Sequence, residues 1–379
     1  MNNIKVWPHL TIIGVVVALV AGIATALYLR HEQTVSAEAL PYAARIQRVD
    51  GEVAFSDSIN GGADAQSSND EQWVAATANQ PFSVGDRIYT RENSHASLAF
   101  TGRNFARLNP NTALDVVNLY DGRTQLALRE GSAIFDVGYP GELFEVGTPY
   151  GPVQFDQPGL YDVGFDNNGN VLVSVLSGVA QIAGLAGSGQ INKGEILTLA
   201  GQTAADVLLS KINGRDAGYL VDDYYRYQYP NSYDGRYSNY DAYLSDPYYY
   251  DPYRRSPGYQ YVSSIIPGVN DLDYYGDWQN VDNYGYAWRP RVDTNWAPYQ
   301  QGYWTNDYPY GATWVSSEPW GYAPYHYGRW ANVGNQWYWV PEGVNATPTY
   351  APALVAFIPV DDNQVGWVPL APGENRKSV

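Results

Sequence analysis

The chain begins with an apolar run. From Leu10 to Leu29 the 20 positions are interrupted only by Thr11, Thr25 and Tyr28, with Lys5 before and Arg30 after. A helix of that length rises roughly 30 Å, the thickness of a bilayer's hydrocarbon core. The run therefore predicts a membrane-crossing helix within residues 1–30. Two fates stand open: an uncleaved anchor, or a signal segment removed at the small-x-small site Ala37-Glu38-Ala39. Nine residues precede the run, as in a signal anchor, so the long polar remainder is expected to be exported to the far side of the membrane. Cleavage would make it a secreted protein.

Between residues 44 and 201 the pattern changes to short alternating segments: Leu98-Ala99-Phe100, Leu126-Ala127-Leu128, Ile134 to Val137, Phe144-Glu145-Val146, Val153-Gln154-Phe155, Tyr161-Asp162-Val163 and Val171 to Val175. Turn-forming stretches separate them, among them Asp121-Gly122, Tyr139-Pro140-Gly141 and Asp166-Asn167-Asn168-Gly169. Such spacing predicts an all-β domain, either a rolled sandwich or a solenoid-like stack. Asp166 to Asn170 lacks the later carboxylate of a calcium loop and reads as a hairpin turn. Residues 202–270 are rich in Tyr, Asp and Pro and are expected to form a disordered linker.

From 271 to 372 an aromatic phrase recurs. Trp296-Ala297-Pro298-Tyr299-Gln300-Gln301-Gly302-Tyr303-Trp304 returns 26 residues later as Tyr322-Ala323-Pro324-Tyr325-His326-Tyr327-Gly328-Arg329-Trp330, and Trp278 and Phe357 mark two further units. Each unit has a second aromatic about ten residues on: Trp288, Trp314, Trp339 and Trp367. Two strands and a turn fit that interval, with turns expected at Asp282-Asn283, Asn306-Asp307, Gly334-Asn335 and Asp361-Asp362-Asn363. Proline after Trp288, Trp339 and Trp367 should end those hairpins, because it cannot donate to a ladder. A unit this small buries little alone, so its rings are expected to pack on the next unit. Most of the rings are then core. Trp296, Tyr299, Trp314, Trp320, Tyr325, His326 and Arg329 are the candidates for an exposed surface that grips a ligand or partner.

Composition narrows the function. A formal charge of −17 repels phosphates and excludes nucleic acid as a natural partner. The absence of cysteine excludes disulfides, a lipidated-cysteine anchor, zinc–thiolate sites and cysteine nucleophiles. His95 and His326 are the only imidazoles within the two expected domains and their linker, and the sequence has no nucleophile elbow, zinc-protease helix or phosphate loop. Glu318 and Glu342 could in principle act as a glycosidase pair, but nothing in their spacing supports it. No catalytic residue, metal site or cofactor is expected.

Two resemblances follow. Gly51-Glu52-Val53, Val84-Gly85-Asp86-Arg87-Ile88-Tyr89-Thr90, Arg107-Leu108-Asn109-Pro110-Asn111-Thr112, Leu128-Arg129-Glu130-Gly131-Ser132, Val146-Gly147-Thr148-Pro149-Tyr150-Gly151 and Val175-Leu176-Ser177-Gly178-Val179, in this order, resemble the extracytoplasmic FecR domain of bacterial envelope proteins. Regulators of that family relay a signal to a cytoplasmic sigma-binding segment, for which nine residues leave no room. The phrases Tyr284-Gly285-Tyr286-Ala287-Trp288-Arg289-Pro290, Trp320 to Trp330 and Val365-Gly366-Trp367-Val368-Pro369 are similar to a Trp/Tyr/Pro repeat domain of bacterial envelope proteins. The resemblances imply fold and compartment. The expectation is a membrane-anchored, periplasm-facing, non-enzymatic binding or scaffold protein whose partner is an envelope protein. A glycan-binding role through stacked aromatics and a signalling relay are the alternatives.

Overall fold

The computed structural model describes residues 43–57, 73–120, 122–184, 187–201, 203–212, 256–307, 310–361 and 364–374. The expected membrane helix lies outside these residues. Among them no helix is long and apolar enough to cross a membrane.

The chain is mainly β. Residues 44–211 form two nine-stranded sheets, and each of the seven segments read from sequence alternation lies in a strand. The chain passes back and forth between the sheets while advancing along both, so the domain is a sandwich built like a solenoid. Such passing produces a parallel pair: Arg123–Glu130 and Leu143–Thr148 are parallel neighbours in one sheet because Ser132–Val137, between them in sequence, belongs to the other. Alternation buries one face, as in Arg123–Glu130, where Thr124, Leu126 and Leu128 point inward. Phenylalanines span the gap between sheets, with Phe135 and Phe155 5.5 Å apart and Phe155 stacked on Tyr161 at 4.2 Å. The turns are made as their residues require: Asp86 accepts the Ser83 amide at 2.7 Å, and Asp166 accepts the amides of Asn168 and Asn170.

The four aromatic intervals are cross-strand pairs. Trp278 faces Trp288, Trp304 faces Trp314, Trp330 faces Trp339 and Phe357 faces Trp367 across their hairpins. Gly334 and Asn335 both have positive φ, the type I′ geometry that matches strand twist. Asn306 and Asp307 differ from expectation: both are strand residues, Asp307 pairs with Gly311, and the chain reverses after them.

The hairpins do not stack in chain order. The first and third join edge to edge through Trp288 and Trp339, making a four-stranded sheet. The second and fourth meet through rings, Trp304 lying 5.1 Å from Phe357 and 5.6 Å from Trp367. The connecting segments cause this, since they thread Trp296 and Trp320 between hairpins, against Trp330 and Trp288 respectively.

The 26-residue phrase has a steric basis. In the first three units a glycine stands two residues before the first aromatic, and the indole of the second strand lies over it. A Cβ at Gly276 would meet Trp288 at 2.3 Å, one at Gly302 would meet Trp314 at 2.7 Å, and one at Gly328 would meet Trp339 at 2.6 Å. The fourth unit has Val355 there. Its indole, Trp367, is 38 % exposed, whereas Trp288, Trp314 and Trp339 are buried.

Both ends of the expected linker are ordered, unlike the reading from composition. Val207–Lys211 pairs with Glu195–Leu199 at one edge of the sandwich. Further on, a 3₁₀ turn at Pro257–Gln260 and the helix Val269–Tyr275 bring Val262, Ile266, Val269 and Leu272 into the repeat-domain core. The remainder, 213–255, lies outside the described residues. The sandwich and repeat domain belong to one compact unit.

The glycine rule predicts that Gly276→Ala, whose φ of −164° carries no backbone strain, destabilises the chain by about 1–3 kcal/mol through overpacking against Trp288. Gly189→Ala, with nothing within 4 Å, should leave the urea midpoint unchanged.

Candidate functional site

Sequence reasoning placed an exposed aromatic platform in the repeat domain, and the structure places most of it in the core. Tyr299, Trp314, Trp320, Tyr325 and His326 are buried, and only Trp296 and Arg329 keep part of their surface in solvent. The reason is the connecting-segment packing described above: these rings fill the space between hairpins. Several polar tips of these rings and their neighbours are bonded internally, whereas the Trp314 indole N–H has no partner among the described residues. Tyr299 donates its hydroxyl to the Tyr325 carbonyl at 2.9 Å, Trp330 its indole N–H to the Pro324 carbonyl at 3.0 Å, and Trp339 to the Tyr327 carbonyl at 2.7 Å. Arg329 turns toward the Gly328 and Glu374 carbonyls, away from the role of polar partner to His326.

His326 belongs to a short helix, Tyr322–His326, packed under Tyr350 at 5.0 Å. Nδ1 lies 2.8 Å from the Ala351 carbonyl, which only accepts, so Nδ1 carries the proton. Burial pushes the imidazole down to about 4, opposed by that bond and aided by the Arg45 charge. It is a neutral core residue.

Beside it sits the junction of the two domains. Arg45, on the sandwich strand Ala44–Asp50, is fully buried. It forms an ion pair with Asp271, donates to Asn79 Oδ1 at 3.0 Å and lies 5.6 Å over the Tyr322 ring. Asn79 passes the connection on, donating Nδ2 to the carbonyls of Ser316 at 3.0 Å and Glu318 at 2.7 Å. Tyr322 donates back to the Ala43 and Ala44 carbonyls. Glu318 ends the chain of contacts. Its carboxylate accepts the Trp296 indole N–H at 2.6 Å and the Tyr325 hydroxyl, and burial raises its pKa despite those bonds.

Two surfaces remain open for recognition. One is a groove of about 1000 Å³ whose walls include Arg289, Arg291, Asn295, Gln300 and Gln301, with Trp296 at its edge. Within it Arg291 is held by Asp277 at 3.0 Å, and neither Glu318 nor Glu342 lines it. The other is the last hairpin, which packs Phe357 on Trp304 yet leaves Ile358, Val360, Val365 and Val368 exposed by 43 % to 65 %. Sequence reasoning missed this hairpin as a surface, although its aliphatic residues, unlike the aromatic and polar strands before it, were the available signal. Among the described residues no group of three or more His, Cys, Asp or Glu could hold a metal ion.

The lowered His326 pKa sets a pH dependence. Between about 4 and 6.5 the unfolded imidazole binds a proton that the folded one refuses, so stability falls as pH falls through that window. His326→Asn keeps a donor near the Ala351 carbonyl and does not titrate. Relative to it, the natural chain should lose about 3 kcal/mol between pH 6.5 and pH 4 in urea unfolding.

Comparison with known proteins places both domains. Residues 86–181 match the family model described as FecR protein, and residues 269–374 match the model described as a family of unknown function, DUF6600. A comparison with curated proteins finds no match. Two crystal structures of a candidate anti-sigma factor from Parabacteroides distasonis ATCC 8503 are similar to part of the chain, at 18 % and 17 % identity with TM-scores of 0.32 and 0.31. The alignments cover 35 % of this chain and 63 % and 64 % of those chains. This chain thus carries a FecR domain followed by a DUF6600 domain.

Proposed function

We propose that the chain is a non-enzymatic binding or scaffold protein of the bacterial envelope, held to the inner membrane through residues 10–29 and facing the periplasm, with an envelope protein as partner. The FecR match supports an envelope or signalling setting. The observation that carries the binding role is the last hairpin. It is fixed at its base by Phe357 and by the Trp367 indole N–H bonded to the Tyr299 carbonyl at 3.1 Å, while Val360 and Val365 near its tip are 65 % and 55 % exposed. A rigid apolar projection of this kind offers contact area at low entropic cost. A cluster of exposed aliphatic side chains on a soluble surface marks a contact site.

The groove beside Trp296 favours a second reading, binding of an envelope glycan, because guanidinium and amide groups around an indole suit sugar hydroxyls and faces. Two measurements separate the readings. A photo-crosslinking residue at Val360 of the full chain should give a discrete protein adduct in isolated envelopes, whereas one at exposed Asn168 should give none. Absence of an adduct at Val360 overturns the protein-partner reading. Sedimentation with purified cell wall that is lost in the Arg289→Ala, Gln300→Ala variant would establish the glycan reading instead.

A further inference from the structure

Where the second hairpin meets the sandwich, the fold leaves a buried carboxylate oxygen without a hydrogen bond among the described residues. Asp307 ends the strand Gly302–Asp307, is 6 % exposed, and its Oδ2 makes no hydrogen bond. It lines a cavity of about 150 Å³ between the two domains. Asp57 and Gln80 of the sandwich and Thr305 and Asn306 of the hairpin also line it, together with Phe55, Val74 and Pro81. Among the described residues no ion pair reaches Asp307.

The electrostatics agree with the geometry. Burial first, and the Asp57 charge second, push the Asp307 carboxyl up to about 7. The hydroxyls of Tyr310, Tyr322 and Tyr350, raised mainly by burial, are raised further by the Asp307 charge. The ionised Asp307 carboxylate is thus felt from this cavity into the tyrosine-lined core.

Two carboxylates are too few to enclose a bare metal ion, but they suffice for one that keeps its waters. At about 30 Å³ per water, a cavity of this size holds a cation with about four waters. Hard divalent cations bind in this manner: Mg²⁺ retains several waters while taking one or two carboxylates, and Ca²⁺ adds amide and hydroxyl oxygens. We propose that the cavity between Asp57 and Asp307 binds a hydrated divalent cation, Ca²⁺ or Mg²⁺, with these carboxylates as its charged ligands and the oxygens of Thr305 and Asn306 around them. Asp57 comes from the sandwich and Asp307 from the repeat domain, so the cation clamps one to the other.

The test is calorimetric titration of the metal-stripped full chain in detergent with Ca²⁺ and, separately, with Mg²⁺. One saturable site is expected for at least one ion, and the two arms identify which. Asp307→Asn should weaken it at least tenfold, and Asp57→Asn should weaken it in the same direction. Without metal, Asp307→Asn should melt at or above the natural chain, because it buries no ionisable group, and added cation should raise the melting temperature of the natural chain alone. Asp57→Asn, at a half-buried position, carries the test should the first variant fold poorly. The proposal is overturned if neither ion binds saturably up to about 10 mM, beyond the weakest range of extracellular calcium modules. Binding that survives in Asp57→Asn and in Asp307→Asn also overturns it, since the ion then sits elsewhere.

Discussion

A guanidinium with no exposure to water is the constraint on which this architecture depends. Arg45 can remain charged inside the protein only where a carboxylate, an amide oxygen and an aromatic face converge on it, and Asp271, Asn79 and Tyr322 supply them. Those groups come from three places: the helix before the first hairpin, a sandwich turn and the short helix before the third hairpin. The charge is satisfied in a single relative placement of sandwich and repeat domain. Buried ion pairs contribute little net stability against an apolar replacement, since desolvation offsets the attraction. Their effect here is geometric, because any slip of the repeat domain would strand the charge. Asn79, with its φ of 64°, is held in the left-handed region that asparagine tolerates, and this aims its amide at the Ser316 and Glu318 carbonyls.

Given that fixed placement, the repeat domain solves a composition problem. Its core must be built from rings because it has few aliphatic residues, and each indole brings an N–H that needs a partner. Backbone carbonyls at Leu272, Pro324 and Tyr327 accept three of them. Large flat groups pack densely only where the opposing surface is flat too, which is why glycine faces the indole in three of the four hairpins. Where valine replaces it, the indole has moved outward to neighbouring rings, and the hairpin it belongs to presents aliphatic side chains to solvent.

The sequence revealed the local rules of this design and concealed the non-local ones. The interval of about ten residues between aromatics, with Asn or Gly between, determines each hairpin within itself, and all four pairings follow from it. Trp314 and Trp367 hold equivalent repeat positions, yet one is 2 % exposed and the other 38 %. Trp314 is covered by Tyr299 and Tyr325 from the connecting segments on either side of its hairpin, and the aromatic interval alone does not encode that. Nothing in the residues around Arg45 foretells its burial either, since its partners Asn79, Asp271 and Tyr322 are distant in sequence. The helix Val269–Tyr275 was a different case. Val262, Ile266, Val269 and Leu272 carry the spacing of one helical face, but the tyrosine-rich flank around them matched a linker more loudly.

Buried ionisable groups near the junction act against one another. His326, held down to about 4, favours the folded state less as pH falls from 6.5. Asp307 has the opposite sign: with its carboxyl raised to about 7, the folded state binds a proton that the unfolded state releases above about 4, so its contribution is lost as pH rises. Half-buried Asp162, pushed by burial to about 7, adds to the same side. Across the interval from about 4 to 6.5 His326 cancels one of the two carboxyl slopes and the other remains, so these three groups together favour the folded state more as pH falls. A cation against Asp307 would keep that carboxylate ionised in the folded state and remove its slope, leaving His326 and Asp162 to oppose each other. The grip of the two domains on each other would then depend on the ionic composition of their surroundings.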